Sequence, residues 1–439
     1  MRLEKWFVND LDASQQRVIE EDIDNGLIVQ GVAGSGKTNL AIHRALQASK
    51  RGTYAIVIFS VALKRMVAYG MQAMGLDRER IAYEWAWTNR GFDVIGDLYM
   101  EKGNNQLLYL VNDMHIRKFV RAGTNTATAF GVDFGDWVPD RFYKAFGRRV
   151  SWFVEARYDD ELDITNEERF ELIPSGILYK PRDQVIDYLI ADEGQDFSID
   201  AYKIKLCPHA RRSLTVFGDS AQQMLRKSSV PGKSYKPGSS MSEIAQALGN
   251  SYKCMTLECN YRVPISIAKF AQRIMGGMVD LVSNNRRGMD GPRPTIIKCQ
   301  SKEAELDAII GRIQVEDLDD VAILVESNEQ AIFANNYLND KGIKTQTFFR
   351  TGDEVPFNTI NTLDFSNEDL PCVLTYYSAK GSEFDNVFIP FASNENKCGR
   401  NAFYVACTRS SRNLVILYSG AQIRYLDGMD ARIVDKYQI

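Results

Sequence analysis

Short apolar runs alternate with amphipathic stretches at both ends of the chain, and the middle breaks that rhythm. "LIVQ" from Leu27 reads as a buried strand, followed by a glycine-rich loop and a helix with Leu40, Ala41 and Ala45 on one face. "YAIVIFS" (Tyr54 to Ser60), "VIDYLIADE" (Val185 to Glu193) and "SLTVFGD" (Ser213 to Asp219) are continuous apolar runs of strand length. From about Ala268 the alternation resumes. "PTIIKC", a helix around Ala304 to Ile313, "VAILVE", a helix around Gln330 to Leu338, "VLTYYS", "NVFIPFA", a helix around Phe403 and "LVILYS" follow in turn. Unbroken apolar strands alternating with helices predict an α/β chain with parallel sheets covered by helices.

The stretch between the two patterned regions is rich in aromatic and charged residues, as in "YEWAWTNRGF" and "RRVSWFVEARYDDELDITNEERF", and it lacks the regular alternation. It reads as a mainly helical subdomain, 62–183, inserted into a first sheet domain made of 1–61 and 184–264, with a second sheet domain at 265–439. "PGKSYKPGSS" (Pro231 to Ser240) and "NNRRGMDGPRP" (Asn284 to Pro294) read as loops.

Length changes this picture little, since 439 residues suit two or three domains. A net charge of -4 gives the whole chain no pull toward polyanions, so a nucleic-acid role needs a local basic groove. The seven cysteines include no CxxC pair and there are three histidines, which favours neither a disulfide framework nor a zinc site and fits a reducing cytoplasm. No apolar leader is seen in "MRLEKWFVNDLDASQQ", and no run approaches the roughly 18 apolar residues of a membrane span. A cytoplasmic protein with no membrane partner is expected.

The candidate chemistry starts in "GVAGSGKT", a GxxxxGK[ST] loop between a strand and a helix. Gly31, Gly34, Ser35 and Gly36 let backbone amides close around phosphate oxygens, and the helix N-terminus adds positive potential. Lys37 neutralises the outer phosphates, and Thr38 can ligate magnesium. A partner acid pair stands at the end of the "VIDYLIADE" strand, with Asp192 expected to help hold Mg2+ and Glu193 to act as general base. Asp219 and Gln222 close the next apolar strand beside the same phosphates.

Taken in order, these segments resemble the superfamily 1 helicases, and among them the UvrD/Rep-like group. "LDASQQ" is similar to the adenine-reading Q motif through Gln15, "GVAGSGKT" and "DEGQD" to motifs I and II, and "GDSAQ" to motif III. "LECNYR" (Leu257 to Arg262) resembles motif IV, "TYYSAKGSEF" (Thr375 to Phe384) motif V and "YVACTRSSR" (Tyr404 to Arg412) motif VI. The resemblance implies two RecA-like P-loop domains with ATP between them and Mg2+ as cofactor. Arg262 and Arg409 would stabilise the transferring phosphoryl group as arginine fingers do, Tyr261 would stack on adenine, and Glu383 would hydrogen-bond the ribose or the phosphate-side network. Strand contacts fall to Ser60 and Lys64, with Arg65 beside them, and to Tyr377 and Ser378. The implied activity is ATP-driven movement on single-stranded nucleic acid, DNA rather than RNA, from 3' to 5'.

The chain departs from the family at Val61 and Ala62, where an Asn-Lys pair is common, at Tyr377 in place of His, and at Ser382 in place of Leu. The distance from Arg262 to Thr375 leaves no room for the large accessory subdomain of UvrD and Rep. Trp85 and Trp87 fit a core role better than base stacking. A GTPase or small-molecule kinase is the first alternative, but Asn396, Lys397, Cys398 and Gly399 lack the acid of an NKxD guanine reader, and a kinase does not account for the two arginine motifs. The second is a nucleotide-gated switch or motor subunit that unwinds poorly alone and needs a protein partner, such as a nuclease in DNA repair or phage defence; the chain itself carries no nuclease signature.

Overall fold

The computed structural model describes residues 11–58, 61–83, 92–101, 104–111, 116–122, 152–155, 172–181, 186–202, 206–224, 238–286, 290–351, 358–365, 367–395 and 398–439. Among them the strands are β1 (Leu27–Gly31), β2 (Tyr54–Ile58), β3 (Ile81–Tyr83), β4 (Phe92–Glu101), β5 (Asn104–Val111), β6 (Ile116–Ala122), β7 (Trp152–Glu155), β8 (Leu172–Pro181), β9 (Ile186–Ala191), β10 (Ala210–Gly218) and β11 (Lys253–Leu257). They continue with β12 (Thr295–Cys299), β13 (Val321–Val325), β14 (Gln346–Thr351), β15 (Asn358–Asn361), β16 (Cys372–Thr375), β17 (Phe384–Ile389), β18 (Ser410–Ser419) and β19 (Asp435–Gln438). Helices of two turns or more are α1 (Ala13–Glu20), α2 (Lys37–Ser49), α3 (Val61–Ala73), α4 (Met241–Leu248), α5 (Ile265–Ile274), α6 (Lys302–Val315), α7 (Asn328–Asp340) and α8 (Arg400–Cys407).

Two sheets carry the P-loop architecture. The first is six-stranded, in the order β11-β1-β10-β9-β2-β3. β1 runs parallel to both β10 and β11, and β2 to both β9 and β3. β2 reads Tyr-Ala-Ile-Val-Ile and is buried at every position, because helices on both faces of a parallel sheet leave neither side of the strand to water. The second sheet is eight-stranded, in the order β15-β14-β16-β13-β17-β18-β12-β19, and among the described residues β14 and β15 are its one antiparallel strand pair. One apolar core joins Leu27 and Ile56 of the first sheet through Phe270 of α5 to Phe403 of α8 and Ile416 of the second. The far face of the second sheet is covered by Leu306 and Ile309 of α6 and Ala331, Ala334 and Leu338 of α7. The fold is the α/β arrangement of parallel sheets covered by helices expected from the strand and helix rhythm.

The inserted region departs from expectation. Its described residues form a five-stranded sheet, β7-β6-β5-β4-β8, paired antiparallel throughout, and not the helices expected for 62–183. The reason is visible in β4, where Phe92, Val94, Leu98 and Met100 recur at a spacing of two among Asp93, Asp97 and Glu101, a strand period that the aromatic and charged composition obscures. The region also starts later than position 62. α3 buries Leu63, Met66, Val67 and Met71 in the core of the first sheet, and β3 extends that sheet, so the separate compact unit comprises 84–187 and 200–212. No helix among the described residues is long and apolar enough to cross a membrane.

Candidate functional site

The loop from β1 to α2 is shaped by backbone that only glycine adopts freely. Gly34 and Gly36 have φ of 78° and 82°, in the left-handed region. Gly34 is also closely approached, since a Cβ there would lie 2.5 Å from Asn260 Oδ1 and 2.7 Å from the Arg262 Cβ. α2 then begins without a side-chain cap, which leaves its first amides and positive end to an anion. The buried Ser35 hydroxyl has no hydrogen-bond partner among the described residues. An uncapped helix start beneath a glycine loop, with an orphan hydroxyl beside it, fits a phosphate chain. Lys37 lies in the same cradle, its Nζ donating to the carbonyls of Gly31 at 2.7 Å and Val32 at 3.0 Å. Burial lowers its pKa, against the opposing pull of Asp219, Glu193 and Asp192.

At the carboxyl end of β9, Asp192 accepts a hydrogen bond from Thr38 Oγ1 at 2.7 Å. This pair supplies the hard oxygen donors that Mg2+ prefers, so the residues present fit that ion. Glu193 has φ of 55°, an uncommon conformation for a side chain of its size. Its Oε2 accepts from Gln195 Nε2 at 2.6 Å. Burial first, and then the Glu193 charge, push Asp192 upward. Burial would raise Glu193 too, but Lys380, Lys37 and Arg409 outweigh it and hold that carboxylate below its ordinary value.

α1 meets the glycine loop through its N-terminal cap. Asp12 caps the helix and Gln15 closes a capping box, its Oε1 accepting from the Asp12 amide at 3.1 Å. The other end of the same Gln15 amide donates to the Ser35 carbonyl at 3.1 Å, so one side chain ties the helix start to the phosphate loop. Tyr261 donates from its amide to the Gly34 carbonyl at 3.0 Å and from its hydroxyl to Asp12, with its side chain about a third exposed. α1 is clamped from behind by the fully buried Arg44, which donates to the carbonyls of Glu21 at 2.5 Å and Asp22 at 3.3 Å.

The second sheet domain contributes from the turn between α8 and β18 and from the loop between β16 and β17. Arg409 donates to Gln222 Oε1 at 2.8 Å, and Gln222 Nε2 donates to Asp219 at 2.8 Å. α8 packs on the turn Ser220–Gln222, which holds the two residues in register. Burial and the charge of Arg262 lower the Arg409 pKa, yet a guanidinium keeps its proton at physiological pH. Arg262 donates to the Thr408 carbonyl at 3.1 Å and lies 3.8 Å from Glu383.

Lys380 is a member of this site that the motif reading passes over. It is 2% exposed and lies 2.6 Å from Asp196 and 3.6 Å from Glu193, while donating to the Gln222 carbonyl at 2.8 Å. Its sequence signal is a lysine between Ala379 and Gly381 in the turn that follows the apolar strand β16. Gln195 was legible in the same way, within "DEGQD". Its carboxamide links Glu193 to the Asp219 amide, which donates to Gln195 Oε1 at 2.9 Å.

The expected strand contacts are less gathered. Ser60, Trp85 and Trp87 lie outside the described residues. Lys64, Tyr377 and Ser378 are all half-buried, and their elements meet next to them, where a Cβ on Gly381 would lie 2.7 Å from Leu63. Ser378 is turned into its own loop, its amide donating to Thr375 Oγ1 at 3.1 Å.

Residues 371–417, from β16 into β18, match the family model of the UvrD-like helicase C-terminal domain. No curated protein matches the chain in sequence. Among solved structures, the chain is similar to the C-terminal domain of a possible DNA helicase from Lactobacillus plantarum WCFS1, with 21% identity, 40% of this chain and 98% of that one covered, and a TM-score of 0.30. It is similar to the PRRSV helicase at 9% identity, covering 92% of this chain and 54% of that one with a TM-score of 0.38. For S. cerevisiae Dbp5 bound to RNA and ADP BeF3, the identity is 11%, the coverage 99% and 93%, and the TM-score 0.46.

Proposed function

We propose that this chain, a UvrD/Rep-like helicase by its C-terminal domain and its ordered motifs, hydrolyses ATP to move along single-stranded nucleic acid, DNA in preference to RNA, from 3' to 5'. The observation that carries the reading is the hydrogen bond from Arg409 of the second sheet domain to Gln222 of the first, beside the buried Glu193 and Lys37. Gly31, Gly34, Ser35, Gly36 and Lys37 would cradle the phosphates, Gln15 and Tyr261 the base, and Glu383 the ribose side. Thr38 and Asp192 would hold Mg2+, which when bound neutralises phosphate charge. Glu193 takes a proton from the attacking water as its oxygen bonds to the γ-phosphorus and the bond to the bridging oxygen breaks, leaving ADP and phosphate. Arg262 and Arg409 stabilise the charge that spreads over the phosphoryl oxygens. Because those arginines answer to both sheets, each turnover is tied to opening and closing of the cleft, and Lys64, Tyr377 and Ser378 with Ser60 would pass that change to a bound strand.

Steady-state ATP hydrolysis with and without single-stranded DNA, single-stranded RNA and duplex tests the reading. Strong stimulation by single-stranded DNA is expected, and turnover indifferent to every nucleic acid contradicts it. A second reading, in which the chain is a nucleotide-gated subunit of a larger complex, is favoured by one observation. The described residues from Ile265 onward are taken up by the second sheet and its covering helices, with no large subdomain inserted among them. Hydrolysis that appears only with a protein partner, such as a nuclease, would select it.

A further inference from the structure

A cavity at the carboxyl end of α5 has no part in the nucleotide or strand readings. We infer that it is a second anion site, which takes a small sugar phosphate and, through its loop wall, bears on ATP affinity. Binding there stands apart from the proposed function; only the effect on ATP rests on that reading.

The cavity is about 510 Å³, a volume typical of small-molecule sites. One wall is the outer face of α5, where Lys269, Gln272 and Arg273 stand three and four residues apart while Phe270, Ala271 and Ile274 are buried in the core. Gly276 and Gly277 follow with φ of 64° and 81°. Their amides donate to the Arg273 and Gln272 carbonyls at 3.0 and 3.1 Å, which answers the negative end of α5. A Cβ on Gly277 would meet nothing within 4 Å, so the turn is open to a ligand.

The charge around this turn is positive and poorly answered. Elsewhere exposed arginines sit against carboxylates, as Arg51 with Asp22 and Arg293 with Asp435, both at 2.7 Å. Arg273 has no such ion pair among the described residues. Lys269 reaches the exposed Asp290 at 3.9 Å, an attraction worth little. Arg400 adds a third cation, since its Nη1 would lie 3.5 Å from a Cβ on Gly276. The carboxylate of the lining, Asp280, accepts the amides of Val282 and Ser283, each at 3.0 Å. A phosphate supplies the acceptors that a guanidinium fork and an ammonium want. Gln272 gives its Oε1 to the Leu281 amide at 3.4 Å and keeps Nε2 to donate to a sugar hydroxyl. Val282 and Ile433, half-buried against the core, give the sugar an apolar floor.

The wall of Val282 and Ser283 continues directly into Asn284 and Arg286, whose backbone pairs with Asn260. The Asn260 amide donates to the Asn284 carbonyl at 3.0 Å, and the Arg286 amide to the Asn260 carbonyl at 2.9 Å. The next residue, Tyr261, donates from its amide to the Gly34 carbonyl at 3.0 Å. A ligand that fixes Val282 and Ser283 therefore fixes the backbone on which Tyr261 and the glycine loop rest.

The test titrates ribose 5-phosphate into the full chain by calorimetry, with ribose as the uncharged control, for wild type, Arg273→Glu, Lys269→Glu, Ile433→Trp and Lys37→Ala. Expected in wild type is saturable binding of ribose 5-phosphate with a Kd of about 0.1 mM or tighter, and none of ribose. Arg273→Glu and Lys269→Glu should weaken it about tenfold or more. Ile433→Trp, which fills the cavity and leaves its charge, should do the same, with thermal melts showing each variant folded. Lys37→Ala should stay within about threefold of wild type, since the phosphate loop is not the site. Saturating ribose 5-phosphate should also shift the KM for ATP by about threefold or more in wild type and leave it unchanged in Arg273→Glu. Binding that Lys37→Ala abolishes and Arg273→Glu keeps is binding at the phosphate loop and overturns the site, as does a wild type that binds no ribose 5-phosphate. Loss of oligo-dT affinity in Arg273→Glu without any binding of the sugar phosphate would make the patch a strand contact and overturns it equally. An unmoved KM overturns the link to ATP. A wild type that binds ribose 5-phosphate as expected but hydrolyses no ATP refutes the proposed function and supports the site on its own.

Discussion

The Arg409 guanidinium donates to the Gln222 amide oxygen at 2.8 Å, joining the turn between α8 and β18 in one sheet domain to the turn after β10 in the other. Both side chains are buried, so the bond is made in a low dielectric and depends on closure of the two domains. Arg409→Ala is expected to lower kcat by about 10²- to 10³-fold with little change in nucleotide affinity. Gln222→Ala should cost less, and the double variant should be no worse than Arg409→Ala. Additive losses measured by steady-state kinetics would show that the two act separately.

Lys37 and Glu193 are separable by their positions. Lys37 lies in the phosphate cradle and Glu193 at the end of β9, so Lys37→Ala should weaken nucleotide binding, whereas Glu193→Gln should bind normally and turn over at least about 10²-fold more slowly. Equilibrium binding and single-turnover hydrolysis distinguish the two. Normal turnover in Glu193→Gln removes it as the base.

Base selection should be lost at α1. Gln15 spends one end of its amide on the helix cap and the other on the Ser35 carbonyl, so Gln15→Ala should raise KM for ATP and narrow the preference for ATP over GTP. Arg44→Leu should act on the same pocket from behind, because the Glu21 and Asp22 carbonyls lose their donor, at a cost of about 2–3 kcal/mol. Thermal melts and nucleotide competition read both effects.

One carboxylate should make stability fall with pH. Glu305 is fully buried and accepts the Phe391 amide at 2.5 Å, which holds Phe391 at φ of 60°. Burial raises its pKa, more than the hydrogen bonds from Phe391 and Ser419 lower it. A raised folded-state value means that its stabilisation is complete below the unfolded value of 4.5 and declines as pH rises through the folded one. The melting temperature of wild type should therefore drop relative to Glu305→Gln as pH climbs from about 4.5 toward neutrality. Parallel profiles would contradict this assignment.

How much of this was legible in sequence depended on whether a signal was local. The buried strands β2 and β13 announce themselves because every residue is apolar, and the phosphate loop because glycine spacing fixes its backbone. β11, with Lys253 and Cys254 exposed at an edge, lacked such a run. β3 was missed because three residues are too few to show a period, and the sheet of β4 to β8 because charge and aromatic content hid an alternation of two. Lys380 was passed over because the three groups that answer its charge stand more than 150 positions away in sequence.

The central claim is that ATP turnover moves the chain along a strand in one direction, and its most direct measurement is the arrival time at a labelled DNA end. With oligo-dT of increasing length and a fluorophore at either end, stopped-flow traces after ATP addition should show a lag that grows with length when the label is at the 5' end and no such lag when it is at the 3' end. Arrival times that do not depend on length at either end would mean that hydrolysis is not coupled to translocation.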